Sequence, residues 1–435
     1  MGNTLVVGAG PIGLWTAVLI KAHNPDEDIT IIDKRDKYVR AHILNIDSDA
    51  FQGVPKDSRN SSVRELQKIA KEFRKNKKVK TLEIERKLSA IAKKMGIKQH
   101  GGKNWELSFE KLEKLRKGES LDIENKDLQE VFNKADLIVG ADGANSQIRK
   151  SLFGEEKKDE HELQKLVEVK YTFQANPNEK LNPLDQYHDM KKMVGASVTI
   201  NEQKPKEAEE ELKGTLRIFV KADLYKKVRP EEKGKGTFED VWKINELKDS
   251  SDKELQKLGT DIEQMLRNRN IKEAKITALP LGTYSSKERY SEETLQNGKT
   301  RRFVLVGDAS SGVPFFRSLN KGTKEAQALA ETVSKVKQIS SEKVNESKSW
   351  WEKLFQFGFS SVKASGEEEF SENEKITQLF QDFAKSSDKI TKWEIFKARV
   401  KSSGVSLANQ YFRCTKNLFG FISPYKSVSN PIYQE

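Results

Sequence analysis

The chain has 435 residues, 78 basic against 66 acidic, giving a net charge of +12, and a single cysteine, Cys414. That length exceeds what one hydrophobic core usually sustains, so about two to three domains are expected. One cysteine excludes an internal disulfide and a multi-cysteine zinc or iron–sulfur site, and it fits a reducing compartment, so a cytoplasmic protein is expected. None of the five histidines stands in an HExxH pattern, and no metal is assigned. Acidic and basic residues interleave along most of the chain, as from Lys68 to Arg86, and the basic stretches lack interleaved aromatics. Nucleic acid is therefore not expected as a partner, while the excess positive charge suits an acidic one.

The run from Leu5 to Ile20 is apolar enough for a signal-peptide core. It lacks a cationic flank, however, and carries Gly8, Gly10, Pro11 and Gly13 at its centre, which suit a loop. No other stretch approaches the roughly 18 apolar residues of a membrane span, and none is expected. Thr4 to Val7 reads as a buried strand. The helix after it places Ile12, Trp15, Val18, Leu19 and Ala22 on one face and ends at Asn24-Pro25. Ile29 to Ile32 reads as a second strand, completing a βαβ unit. Helical patterns follow at 61–75 and 84–95, then strand-like pieces around Trp105 to Phe109 and a buried strand at Ala135 to Val139. From 155 to 290 strand-like runs (166–173, 194–200, 216–220) alternate with lysine- and glutamate-rich connections, as in an inserted antiparallel or mixed sheet. Buried-strand character returns at Arg302 to Val306, a helix spans 322–336, and helical periodicity with Trp350, Trp351, Phe355, Phe380 and Phe383 fills the C-terminal region, where the aromatics read as core.

Gly8-Ala9-Gly10-Pro11-Ile12-Gly13 is a GxGxxG loop directly after a strand and opening a helix. Gly8 makes the tight turn, Gly10 lets backbone approach a pyrophosphate, and Gly13 permits close helix–strand packing, with the helix N-terminus offering N–H groups to the phosphates. Asp33 ends the second strand twenty residues after Gly13, where a carboxylate accepts from ribose hydroxyls. Loop, context and carboxylate together indicate a dinucleotide. Two further turns follow buried strands: Asp142-Gly143 and Gly307-Asp308.

With these three motifs in this order, the chain resembles the class A flavoprotein monooxygenases, the group containing p-hydroxybenzoate hydroxylase. The resemblance implies FAD as cofactor and NADPH or NADH as a transient reductant. Asp308 would contact the flavin-side ribose, Asp142 and Gly143 would serve flavin and pyridine nucleotide, and Arg40 and Arg64 would match the family's two arginines. Pro314, Asn320 and Gly322 would match the proline and glycine-rich turn that bring N–H groups to the flavin ring. Arg317 and Ser318 stand where that turn has glycines, so their side chains are expected to crowd the flavin. Within class A, Asp33-Lys34-Arg35, the segment 40–44, Ser62 to Gln67 and Gly307-Asp308 followed by Pro314-Phe315-Phe316 are similar to the MICAL-type enzymes that oxidise methionines of actin.

The expected architecture is an α/β, Rossmann-like FAD-binding domain (1–154 and 291–338), interrupted by an inserted mixed β-sheet substrate domain (155–290) and followed by a C-terminal helical region (339–435). The implied activity is oxygen transfer from a flavin C4a-hydroperoxide to a nucleophilic substrate, either a methionine of an acidic protein such as actin or a small aromatic molecule. A flavin oxidase or reductase and a non-catalytic, FAD-stabilised interaction protein share the same motifs. No acid–base catalyst is assigned.

Overall fold

The computed structural model describes residues 2–37, 43–56, 59–76, 78–154, 158–174, 198–202, 211–229, 242–266, 269–313, 317–342 and 371–418. The chain forms two compact units, Met1–Glu160 with Thr283–Phe396, and His161–Gly282 with Lys397–Glu435.

The first unit opens with the βαβ unit, β1 (Asn3–Val7), α1 (Pro11–His23) and β2 (Asp28–Asp33). Next come β3 (Ile43–Asn45), α2 (Ser61–Asn76), β4 (Lys78–Lys80), α3 (Thr81–Lys94) and β5 (Lys98–Gly101). Helices α4 (Phe109–Arg116) and α5 (Lys126–Lys134), strand β6 (Leu137–Gly140) and helix α6 (Gln147–Phe153) complete its first segment. The strand-like reading of Trp105 to Phe109 is corrected: Lys103–Trp105 is a 3-10 turn, and α4 starts at Phe109, capped by Ser108, whose Oγ accepts from the Lys111 N–H.

The second unit takes up β7 (Lys158–Gln174) from His161 onward, then β8 (Val198–Glu202), β9 (Glu211–Val220), α7 (Ala222–Val228), α8 (Ile244–Lys248), α9 (Lys253–Leu266) and most of β10 (Asn270–Ser286). In the sheet β10-β7-β9-β8, β7 and β8 each pair antiparallel with β9. Alternate residues Val167, Val169, Tyr171 and Phe173 turn to one face, as the period of two requires, and form a core with Leu216, Ile218 and the α9 residues Leu255, Leu258 and Ile262.

The chain then re-enters the first unit through the end of β10, followed by β11 (Tyr290–Thr294), β12 (Thr300–Leu305), β13 (Ser311–Gly312), α10 (Arg317–Glu342) and α11 (Glu372–Leu418), the last belonging to this unit as far as Phe396. Its main sheet runs β11-β12-β6-β1-β2-β5, with β11 antiparallel at the edge and the other five strands parallel. Val6, Ile31, Val139 and Val304 share a core with residues of α1, α2, α3 and α10, and Leu5, Ile32, Ile138 and Phe303 share another with residues of α4, α5 and α6. Burial on both faces explains why these strands read as continuous apolar runs. Helix α1 is buried almost all round, from Gly13 to Ile20, because α3 and α10 pack on it as well as the sheet. Phe380 and Phe383 are core residues, whereas Trp350, Trp351 and Phe355 lie outside the described residues. Among the described residues no helix is long and apolar enough to cross a membrane.

Candidate functional site

Four of the singled-out segments end on the same edge of the main sheet. Gly8 follows β1, Asp33 closes β2, Asp142 follows β6 and Gly307-Asp308 follows β12, and these strands are parallel neighbours in the order β12-β6-β1-β2. In open α/β sheets, ligands bind outside the carboxyl ends of the strands.

The glycines there have different tasks. Gly8 has φ 112°, and a Cβ on it would lie 2.4 Å from the Ala141 carbonyl oxygen, so the β1 and β6 turns touch through it. A Cβ on Gly13 would lie 1.9 Å from the Gly8 oxygen, which leaves no room for any side chain. Gly10 differs: it caps α1 at φ −71°, no side chain bonds the cap, and nothing lies within 4 Å of its would-be Cβ. Open space at the helix N-terminus, where first-turn N–H groups have no helical partner, is the place for an anionic group.

Asp33 organises the neighbouring turn. Its Oδ2 accepts from the Ala9 N–H at 2.8 Å, and its Oδ1 accepts from the Arg35 N–H at 2.9 Å and from Arg35 Nε at 3.3 Å. A carboxylate offers roughly four acceptor sites, so Asp33 retains capacity for a ligand hydroxyl. Beside it lies a cleft of about 170 Å³ whose lining includes Asp33, Arg35, Glu85, Ser89, Lys93 and His100. Burial, with Asp33 adding to it, raises the Glu85 carboxyl above the ordinary range, and burial lowers His100, which stacks on Trp105 at 4.0 Å. Glu85, Ser89 and Lys93 are absent from the residues expected at the site, although their spacing of four puts them on one face of α3.

The Asp142 turn and the Asp308 turn are tied together by Arg149. Its guanidinium is buried, donating to the Ala309 oxygen at 2.9 Å and the Ala144 oxygen at 2.7 Å, and it stands over the Tyr284 ring, whose hydroxyl donates to the Asp308 carbonyl oxygen at 2.6 Å. Burial raises the Tyr284 phenol, and Asp308 adds to the effect. Asp142 accepts from the Gln147 N–H through Oδ2 at 2.7 Å, while its Oδ1 is buried with no hydrogen-bond partner among the described residues. Burial holds this carboxyl above its usual range against the hydrogen bonds it accepts. An acceptor left open in that position fits a ligand donor.

Beneath the Asp308 turn sits a fully buried ion pair. Lys321 Nζ donates to the Gly307 oxygen and the Ser311 oxygen, both at 2.8 Å, and lies 3.2 Å from Glu325, whose Oε2 accepts from the Gly307 N–H at 2.8 Å. Burial lowers the Lys321 ammonium, and Glu325 opposes it. Neither residue is singled out by the sequence motifs; the lysine–glutamate spacing of four beside Gly322 is the available signal.

The remaining expected site residues take varied places. Ile12 packs against Gly307 and Gly322; a Cβ on Gly322 would come within 2.7 Å of Ile12 and 3.2 Å of the Gly307 Cα, so Gly322 serves the close approach of α10 to α1. Gly143 takes the left-handed φ of 86°. Asn320 is buried, and its Oδ1 accepts from the Asp47 N–H at 3.1 Å. Lys34 is exposed, and Arg64 is exposed on α2 with its guanidinium donating to the Arg59 oxygen at 2.8 Å. Arg40 and Pro314 lie outside the described residues. Arg317 and Ser318 have engagements of their own: Ser318 Oγ accepts from the Val313 N–H at 3.1 Å and donates to the Val313 oxygen at 2.9 Å, and Arg317 reaches Glu394 at 2.5 Å and Asp47 at 3.1 Å.

No protein-family model and no curated protein matches the sequence. Solved structures match the fold. The Diels–Alderase PyrE3 of the pyrroindomycin biosynthetic pathway is 12% identical, with 97% of this chain and 78% of that chain covered at a TM-score of 0.51. BexE, studied for oxidation during BE-7585A biosynthesis, is 12% identical, with 97% and 74% covered and a TM-score of 0.51. This chain shares their fold. The flavin-dependent halogenase CmlS, 12% identical over 95% of this chain and 71% of its own, gives a TM-score of 0.46. The expected α/β class with a parallel sheet is the class found, and the second sheet, expected as antiparallel or mixed, pairs β7 and β8 antiparallel with β9.

Proposed function

We propose that the chain is a flavoprotein that holds FAD across the carboxyl ends of β1, β2, β6 and β12, and that it is a monooxygenase using NADPH or NADH as reductant. The observation that carries the reading is the convergence of the open Gly10 helix start, the Asp33 cleft and the open Asp142 Oδ1 on one sheet edge. Bound and reduced, the flavin would supply the oxygen-activating chemistry. The protein's own part is binding and orientation. The N-terminal turn of α1 would receive the pyrophosphate and Asp33 a ribose hydroxyl, while the Asp142 and Asp308 turns would border the flavin half.

Fold alone does not choose the reaction, since of two proteins that share it one is named for a cycloaddition and the other for oxidation. The motif resemblance supports oxygen transfer, and the MICAL-like segments with the +12 charge support a methionine on an acidic protein such as actin as substrate, with a small aromatic as the other reading. The test begins with the absorption spectrum of the purified protein and the stoichiometry of extracted FAD, followed by anaerobic NADPH addition. Bleaching of the flavin bands is expected. A colourless protein that takes up no FAD would overturn the reading. NADPH consumption and methionine sulfoxide formation with filamentous actin, against a panel of small aromatics, then choose between the substrates.

A further inference from the structure

The buried face of α11 changes character along its length. Ile376, Phe380, Phe383, Ser387, Thr391 and Glu394 follow one another at steps of three or four and are all buried, with Ser387, Thr391 and Glu394 at 0% exposure. The first three are apolar and join the main core; the last three are polar. Burying polar groups costs free energy unless each is bonded, so a polar half-face requires a polar surface opposite it.

That surface is the Asp308 turn and the start of α10. Ser387 Oγ donates to Glu325 Oε1 at 2.7 Å, and the same carboxylate accepts from the Gly307 N–H. Thr391 Oγ1 shares a hydrogen bond with Ser311 Oγ at 2.9 Å. Glu394 accepts from Arg317 Nε at 2.5 Å and pairs with Lys324 at 3.5 Å. Three successive turns of one helix thus address Gly307–Gly312 and Arg317–Glu325, the segments that border the proposed flavin site. Of the two residues that stand where the resembling family has glycines, Arg317 is the one that Glu394 holds.

We propose that Ser387, Thr391 and Glu394 are positioning residues for the cofactor turn: α11 presses a polar template against Gly307–Gly312 and Arg317–Glu325 and fixes them in the conformation that receives FAD. The proposal rests on the flavin reading above for its ligand, though its geometric claim does not require one.

The experiment uses the full chain with Ser387→Ala/Thr391→Val, which deletes two bonds at little change in volume, and separately Glu394→Gln. Thr377→Val is the control, since Thr377 bonds Glu292 at 3.0 Å from the same helix. FAD affinity is measured by titration, and amide hydrogen exchange is followed over 307–313 and 317–325 in the apoprotein. In both test variants the FAD dissociation constant should rise about tenfold, as for loss of a buried hydrogen bond, with about tenfold faster exchange confined to those segments. The control should leave both unchanged. Affinity and exchange within about twofold of the unmodified chain in both test variants would overturn the proposal, as would an equal effect of Thr377→Val, which would make α11 a general support. If the unmodified chain takes up no FAD, the flavin reading fails and the exchange rates alone decide the positioning claim.

Discussion

Gly10 and Gly13 stand three residues apart in one loop and make opposite demands. A methyl on Gly13 would collide with backbone, whereas one on Gly10 would project into open space. Gly13→Ala is therefore expected to destabilise the apoprotein by about 1–3 kcal/mol, the usual cost of overpacking. Gly10→Ala should change stability by less than about 1 kcal/mol, since φ −71° suits alanine, yet weaken FAD binding about tenfold or more by occupying the approach to the helix start. Thermal melts and FAD titration of the two variants separate the effects. Asp142 gives a pH signature. Its carboxyl is raised in the folded protein, so the group favours folding below its unfolded value of about 3.9 and loses that contribution as pH rises through the folded value. Asp142→Asn keeps an oxygen for the Gln147 N–H and removes the buried charge. The apoprotein of this variant should melt higher than the unmodified chain at pH 7, with the gap closing toward pH 4; a gap independent of pH would mean that Asp142 is not raised. These residues are legible in the sequence because they stand in short motifs directly after buried strands, Gly10 and Gly13 in the GxGxxG loop and Asp142 beside Gly143. Lys321, Glu325 and Glu394 are not, since what they do depends on contacts such as Ser387 to Glu325 across 62 residues and Glu394 to Arg317 across 77.

Legibility at the level of elements follows periodicity. Helices expected at 61–75 and 84–95 are Ser61–Asn76 and Thr81–Lys94, and the strands of the βαβ unit agree within a residue or so, because amphipathic spacing and apolar runs mark them directly. Strand β5, with the sequence KQHG, carries no such mark; it is held by parallel pairing of its backbone with β2, which side-chain pattern does not reveal. Helix α9 is absent from the sequence expectations although Leu255, Leu258, Ile262 and Met265 carry the same helical spacing as Val63, Leu66, Ala70 and Phe73 of α2. Helix α10 starts at Arg317, five residues before the expected start at Gly322, because its first turn is anchored by Arg317 and Ser318. The join between α10 and the Asp308 turn is the Lys321–Glu325 pair. Lys321→Met leaves Glu325 buried without its cation and strips the donor from the Gly307 and Ser311 carbonyls. Removing one partner of a buried pair typically costs about 3–5 kcal/mol, so chemical unfolding of the first unit should shift by about that amount. A shift under about 1 kcal/mol would mean that the pair does not hold this join.

Each of the two units has its own core, with Val6, Trp15 and Val139 in one and Val167, Leu216 and Leu258 in the other, and all the proposed cofactor residues belong to the first. A ligand stabilises only the cooperative unit whose folded state binds it, by about 2.7 kcal/mol at a hundredfold excess over its dissociation constant. FAD at that level should slow the globally exchanging amides of β1, β6 and α1 by up to about a hundredfold, while amides of β9 and α9 keep their apoprotein rates. Segment-resolved hydrogen exchange with and without FAD makes the comparison. Equal slowing in β9 and α9 would mean that the two cores unfold as a single block, and no slowing in either would count against the flavin site itself. The two failures point to different errors, one in the division of the molecule and the other in the reading of its sheet edge.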